Sequence, residues 1–187
     1  IVGPVVALRP PPLTTVPALV MRPEHQAGKL SGLLRRKGAA VTEIPILTIV
    51  PIRPNPRLTA AIRQLNDYDW IVLTSANSVR LMRPALRDPK RRARLAAIGP
   101  GTAEALRDLR LRVDLVPENQ FQSEGLAAAL CMQTGGRKQI FLPQAEAGRD
   151  TLAAALRRAG HRVDVAPIYR TTIARRRLGQ IRAWIRS

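Results

Sequence analysis

Trp70-Ile71-Val72-Leu73 is an apolar run without a single polar interruption, and it breaks at once into Thr74-Ser75-Ala76-Asn77-Ser78-Val79. A strand with one wet face alternates apolar and polar residues; a run that is apolar throughout is covered on both faces. The short hydroxyl and amide residues behind it are the types that open a helix. Strand into helix with both strand faces covered is the βα unit of a parallel sheet. Leu95-Ala96-Ala97-Ile98-Gly99-Pro100-Gly101-Thr102-Ala103 repeats the pattern. Each junction sets backbone N–H groups at a helix start, where an anion is favourably held. Two of them on neighbouring strands predict a protein that grips something negatively charged.

The same alternation extends along most of the chain. Strands are expected over residues 69–74, 94–98, 112–116, 139–142 and 162–168, with helices over 76–86, 102–109, 123–132 and 150–159. Gly160 stands where a helix stop belongs. The right-handed crossover rule then leads to a doubly wound α/β sheet with helices on both faces. Upstream, a short strand over 17–21 precedes a helix that opens at Pro23, carries Ala27, Leu30, Leu33 and Leu34 as its apolar stripe, and ends at Gly38. A strand over 40–50 follows. The proline-rich stretch 51–56 reads as a linker and 58–65 as a short helix. At the far end 169–172 leave the central block extended, and a helix over 178–185 carries Ile181, Trp184 and Ile185. The β-α-β piece over 16–50 has only this last helix to complete it. The expected organisation is therefore a disordered leader over 1–15, the N-terminal part of a first domain over 16–51, a second domain over 52–171, and over 172–187 the start of a return into the first.

Charge is the outlying bulk property. The 187 residues carry a formal net charge of +18, and of 31 basic residues four are lysine, which leaves 27 arginines. Such a field attracts polyanions, although an Arg, Ala, Pro and Leu bias is equally what a GC-rich genome writes. The arginines are scattered, apart from Lys90-Arg91-Arg92 and Arg175-Arg176-Arg177, and no aromatic residues interleave them as in single-strand binders. Nucleic acid is accordingly not the expected partner. A lone cysteine, Cys131, excludes an internal disulfide framework and fits a reducing, cytoplasmic setting. His25 and His161 stand far apart without ligand spacing and are expected to decorate a helix face and a loop. No apolar run reaches the length of a membrane span. The leader, with Pro10-Pro11-Pro12 and no basic n-region, does not read as a signal peptide.

In order and spacing the pieces resemble uroporphyrinogen-III synthases over about residues 16–172. The resemblance rests on Met21-Arg22-Pro23 with Gly28 and Leu33, on the two junctions 69–79 and 97–103, and on Ser123-Glu124-Gly125-Leu126, Leu142-Pro143 and Val165-Ala166-Pro167-Ile168-Tyr169-Arg170-Thr171. It implies two flavodoxin-like α/β domains with a cleft between them, the first domain discontinuous and completed by a returning C-terminal segment. On that view this chain lacks most of the return and is expected to turn over poorly by itself. The implied reaction closes hydroxymethylbilane to uroporphyrinogen III with loss of water and inversion of ring D, by a monomer, without metal or organic cofactor.

Carried over by residue, the resemblance implies Tyr169 as a catalytic proton donor and Arg22, Ser75, Asn77, Gly99, Pro100, Gly101 and Thr102 as substrate contacts. Each has a plainer alternative. Tyr169 can pack at a hinge, Thr102 can cap its helix, Ser75 and Asn77 can stabilise their turn, and Arg22 can form a surface ion pair. Gln144 stands where a basic residue is common in such proteins, and Arg149 either compensates or simply opens a helix. The alternative to the enzyme is a truncated, non-catalytic α/β domain that binds an anion or RNA.

Overall fold

The computed structural model describes residues 16–186, and the expected leader over 1–15 lies outside them, as does the side chain of His25. In chain order the elements are β1 (Pro17–Val20), α1 (Glu24–Arg36), β2 (Ala40–Glu43), β3 (Leu47–Pro51), α2 (Pro56–Arg63) and β4 (Trp70–Leu73). They continue with α3 (Ala76–Leu86), β5 (Arg94–Ala97), α4 (Pro100–Asp108), α5 (Ser123–Gln133), β6 (Gln139–Ala145), α6 (Thr151–Arg158), β7 (Arg162–Ile173) and α7 (Leu178–Arg186). These form two compact units, one made of the described residues up to Thr48 and from Thr171 onward, the other of Ile49–Arg170.

In the first unit β1 and β2 pair in parallel from Pro17↔Ala40 to Val20↔Glu43. The connecting α1 buries Ala27 and Ser31 and stops at Gly38, whose φ of 92° suits a residue without a Cβ. In α7, the Trp184 indole N–H donates to Thr42 Oγ1 at 3.1 Å. The single strand expected over 40–50 is two strands. Pro45 lies between them, and a residue without an N–H cannot continue a ladder.

The expected linker over 51–56 is also more ordered than its prolines imply. β3 runs through Pro51, and Asn55 caps α2 by accepting from Leu58 N at 3.0 Å while its Nδ2 donates to Pro167 O at 2.7 Å. Pro56 takes the first helical position, where its missing N–H costs nothing, so α2 opens two residues earlier than expected.

The second unit is built on a five-stranded sheet of order β3-β7-β6-β4-β5. β4 pairs in parallel with β5 and β6, and β6 with β7. Ile52 N–H donates to Ile168 O at 3.1 Å and Ala174 N–H to Ile46 O at 2.7 Å. Numbers that rise along β3 while they fall along β7 make that edge pair antiparallel. The residues expected as a strand over 162–168 and an extended exit over 169–172 are one 12-residue strand, β7.

Side chains leave β4 alternately into two apolar layers. Ile71 and Leu73 join Leu65, Met82, Leu86, Leu95 and Leu106 beneath α2, α3 and α4. Trp70 and Val72 join Leu126, Leu130, Ile140, Leu152 and Leu156 beneath α5 and α6. The parallel sheet with helices on both faces is therefore present. The strand expected over 112–116 is not: it reduces to one bridge, Ala96↔Leu115. There the Asp114 carboxylate takes the Leu95 N–H at 2.9 Å in place of a strand carbonyl. Pro117 then removes a donor just beyond, so no ladder extends.

At the strand entrances Tyr68 is 5% exposed, its ring centroid 5.3 Å from that of Phe141, and its hydroxyl donates to Asp164 Oδ2 at 2.9 Å. Burial first, then the bond to Asp164, pushes the phenol from the ordinary 10.0 up to about 12. The fold thus holds this proton more tightly than the unfolded chain does. The stability so gained is complete below pH 10 and is lost as pH climbs through 12. Tyr68→Phe is expected to cost about 1 kcal/mol at neutral pH, with the gap to the parent protein closing between pH 10 and 12. Urea denaturation at a series of pH values checks this, and a gap that stays constant to the upper limit contradicts it.

Candidate functional site

Strand order in the second unit dictates where a ligand can enter. The chain moves from β4 outward to β5, crosses back over β4 to β6, and proceeds outward again to β7. After β4 it enters α3 on one face of the sheet, and after β6 it enters α6 on the other. Where successive connections depart to opposite faces, a crevice opens at the carboxyl ends of the strands. The residues at this edge are Thr74-Ser75 after β4, Ile98-Gly99 after β5, and the end of β6.

Six of the expected contacts gather here. Leu73 and Ala97 are register partners, and Ile98 N–H donates to Leu73 O at 3.0 Å, so the two junctions stand side by side. They are not equivalent. Ser75 caps α3 by accepting from Asn77 N at 3.1 Å, Asn77 is buried at 8% exposure, and Ser78 Oγ is buried without a hydrogen-bond partner among the described residues. At α4 the cap is Gly99, with no side chain to offer, and Pro100 at the first position has no N–H. Thr102 is therefore not the helix cap: it lies in the first turn, 7% exposed, with its amide on Gly99 O at 3.1 Å. Among the described residues the exposed Gly101 amide has no acceptor. First-turn N–H groups remain for a ligand at both junctions, Gly101 at the second and Ala76 and Ser78 at the first.

Tyr169 reaches the same edge through an irregularity in β7. Register runs from Gln139↔Arg162 to Gln144↔Pro167 and then jumps to Ala145↔Tyr169. The extra residue turns Tyr169 to the side on which Ile168 already lies, so both enter the layer beneath α2, α3 and α4. Tyr169 is 6% exposed, and its carbonyl accepts from Glu146 N at 2.7 Å. It lies two strands from β4, roughly 10 Å at ordinary strand spacing. Arg22 is an exposed residue of the first unit, just after β1.

The loop between the Leu115 bridge and α5 drew no expectation from the sequence. It closes the edge beside Gly99. A Cβ on Gly99 would stand 3.0 Å from Phe121 Cβ, and one on Gly125 would stand 2.5 Å from Gln120 Cβ and closer still to Gln120 O. The two glycines are thus the seat on which the loop rests. Phe121, 46% exposed, lines a cavity of about 500 Å³ with Asn119, Gln120, Gln122 and Glu124. The available signal was an aromatic residue within a run of amides, in a chain with only two Phe, two Tyr and two Trp.

Arg91, from the first basic run, turns inward: its Nε donates to Leu86 O at 2.9 Å and its Nη1 to Ala93 O, and burial lowers its pKa. His161 is not a loop decoration. It is 7% exposed and accepts from Lys138 N at Nδ1 (3.3 Å), with Thr134 Oγ1 3.3 Å and Cys131 Sγ 3.9 Å from Nε2. Thr134 donates its own proton to Leu130 O at 2.8 Å, which leaves its oxygen to accept from the histidine. This cluster ties the end of α5 to the start of β6. Arg149 precedes α6 as an exposed turn residue, and Gln144 packs against Gly148. No group of three or more potential metal ligands occurs among the described residues.

The loop seat makes a specific expectation. Gly125→Ala should destabilise the chain by about 1–3 kcal/mol, as overpacking does. Gly101→Ala, where a Cβ meets nothing within 4 Å, should be neutral or gain up to about 1 kcal/mol of helix propensity. Urea unfolding midpoints separate the two, and equal effects would refute the seating argument.

The family model described as uroporphyrinogen-III synthase HemD matches residues 28–187. The porphyrin biosynthesis protein HemD of Ruminiclostridium josui is 31% identical over 166 residues, 86% of this chain and 33% of that protein. The uroporphyrinogen-III synthase of Synechococcus elongatus is 29% identical over 163 residues, 84% of this chain and 61% of that one. The chain thus spans from about a third to about three fifths of the length of these relatives. A mutant uroporphyrinogen III synthase of Thermus thermophilus superposes with a TM-score of 0.60 at 21% identity, covering 87% of this chain and 65% of that structure. The wild-type protein gives a TM-score of 0.52 at 22% identity over 92% and 68%. Such superpositions establish the fold, and the family match extends through both junctions, the Phe121 loop and Tyr169. The chain belongs to the uroporphyrinogen-III synthase family.

Proposed function

We propose that this chain serves the cyclisation of hydroxymethylbilane to uroporphyrinogen III. The observation that carries the reading is the α4 junction, an exposed helix start with an uncommitted amide at the carboxyl edge of a parallel sheet, inside the matched family region. The substrate is a flexible octa-acid. Its hydroxymethyl group leaves as water, ring D inverts through a spiro intermediate, and the macrocycle closes. The protein's task is to hold one conformation and direct which carbon is attacked, which is work of orientation and entropy. Backbone N–H groups bind carboxylates at fixed positions without the long, mobile stems of lysine or arginine.

In this reading Gly99, Pro100, Gly101 and Thr102 form the primary carboxylate contact, with Ser75 and Asn77 as the neighbouring wall. Arg22 would be a further carboxylate contact. Tyr169, whose side chain enters the apolar layer, would give a proton to the departing hydroxyl. The reading further takes the protein as a cytoplasmic monomer, and no described helix is long and apolar enough to cross a membrane.

The test supplies hydroxymethylbilane to the chain within its whole reading frame and separates the porphyrin isomers after oxidation. Excess type III isomer is expected, and type I alone, the spontaneous product, would overturn the assignment. Tyr169→Phe is expected to slow formation of type III about 10²-fold with an unchanged melting temperature. A loss under threefold would return Tyr169 to a packing role.

A further inference from the structure

The cavity at Phe121 differs from what the composition of this chain leads one to expect. The chain has 31 Lys and Arg against 13 Asp and Glu, yet the cavity lining of Asn119, Gln120, Phe121, Gln122 and Glu124 contains no cation. It holds an aromatic ring, three amide side chains and one carboxylate. A carboxylate ligand would find no positive charge here and one negative one. A flat, electron-rich ring carrying an N–H donor finds what it needs: a ring to stack on, and amide oxygens and Glu124 to accept its proton.

The exposure of Phe121 is itself unusual. Tyr68, Trp70, Phe141 and Tyr169, the other aromatic residues of the second unit, are between 0% and 6% exposed, whereas Phe121 is 46% exposed. It is nevertheless held in place, because Gly99 admits its Cβ and ring and Gly125 admits the Gln120 backbone before it. A mobile surface aromatic would need neither glycine. Through Gly99 the ring also stands at the cap of α4, so an aromatic face and a free helix-start amide lie next to each other.

We infer that Phe121 is a ring-stacking, specificity-determining residue: it receives one pyrrole ring of the substrate in the cavity over residues 119–124 while an acid arm of the same ring reaches the start of α4. This rests on the functional reading above and names the subsite that the reading lacks. The α4 amide accepts any carboxylate, but the pair formed by amide and aromatic ring selects a carboxylate attached to a flat N–H heterocycle. Cavity size is consistent, since about 500 Å³ lies within the usual range for small-molecule sites.

The experiment uses the 187-residue chain with fluorine-labelled phenylalanine, which yields two signals because the chain has two Phe. The probe is a monopyrrole bearing one acetate and one propionate arm, and propane-1,2,3-tricarboxylate is the ringless control. The Phe121 signal should shift saturably with the monopyrrole and remain still with the tricarboxylate, while the buried Phe141 moves with neither. Phe121→Leu should weaken monopyrrole binding about tenfold, the usual scale of a lost aromatic pair, and change tricarboxylate binding less than twofold. Monopyrrole binding that leaves the Phe121 signal unmoved, wild-type affinity in Phe121→Leu, or no monopyrrole binding at all each overturns the subsite. The labelled wild-type chain gives the answer even if the variant folds poorly. Type III isomer formed by the whole reading frame would leave the functional reading standing in any of these cases, so the two can fail separately.

Discussion

β4 has no face left for water. Trp70 and Val72 enter one apolar layer, Ile71 and Leu73 the other, and β5 and β6 occupy both of its edges. A buried strand needs every backbone N–H and C=O taken by a neighbour, so neither edge can be left open. The chain has to lay β5 along one side and bring β6 back to the other. That return across β4 reverses the order of the strands, and in sheets of this kind such a reversal marks the ligand-binding end. The edge that carries the two junctions, the end of β6 and Tyr169 therefore follows from the need to cover one four-residue strand.

Much of this was legible because local and tertiary preferences agree. The run at 70–73 and the Ser-x-Asn turn behind it place a strand end and a helix start by side-chain type alone, and α3 begins at Ala76 as the pattern implies. Legibility fails where a distant partner decides. Residues 112–116 have strand composition, but an Asp114 carboxylate substitutes for the ladder. His161 has no metal-ligand spacing and yet is locked among Lys138, Thr134 and Cys131, an arrangement that exists only once β6 and α5 are placed. The irregularity at Ile168 turns Tyr169 to its observed side, and nothing local to Pro167-Ile168-Tyr169 announces it.

The site shows the same division. The glycines at 99 and 125 could be read as turn and helix residues, but their function is steric and belongs to the loop that rests on them. Phe121 acquires meaning only from that seat. Likewise the two junctions look alike in sequence, and the structure distinguishes them by accounting for hydrogen bonds. Ser75 closes its own turn, whereas a cap made of Gly99 and Pro100 has nothing with which to close.

That contrast also separates two roles that the high positive charge tends to merge. The two junctions at the edge of the second unit carry amides, hydroxyls and glycines, and the one arginine expected to touch substrate, Arg22, belongs to the first unit. Long-range attraction of an octa-acid is a property of the whole field, felt over roughly the 8–10 Å of a Debye length and weakened by salt. Choosing one arrangement among many requires groups that do not move, and backbone N–H groups at a helix start are fixed by the helix itself. Convergent arginines at the crevice would bind the acid arms more tightly but in many geometries, because each guanidinium has a long flexible stem. In the proposed reaction the difficulty is the direction of ring closure, and rigid backbone contacts at the two junctions suit that task better than mobile cations would.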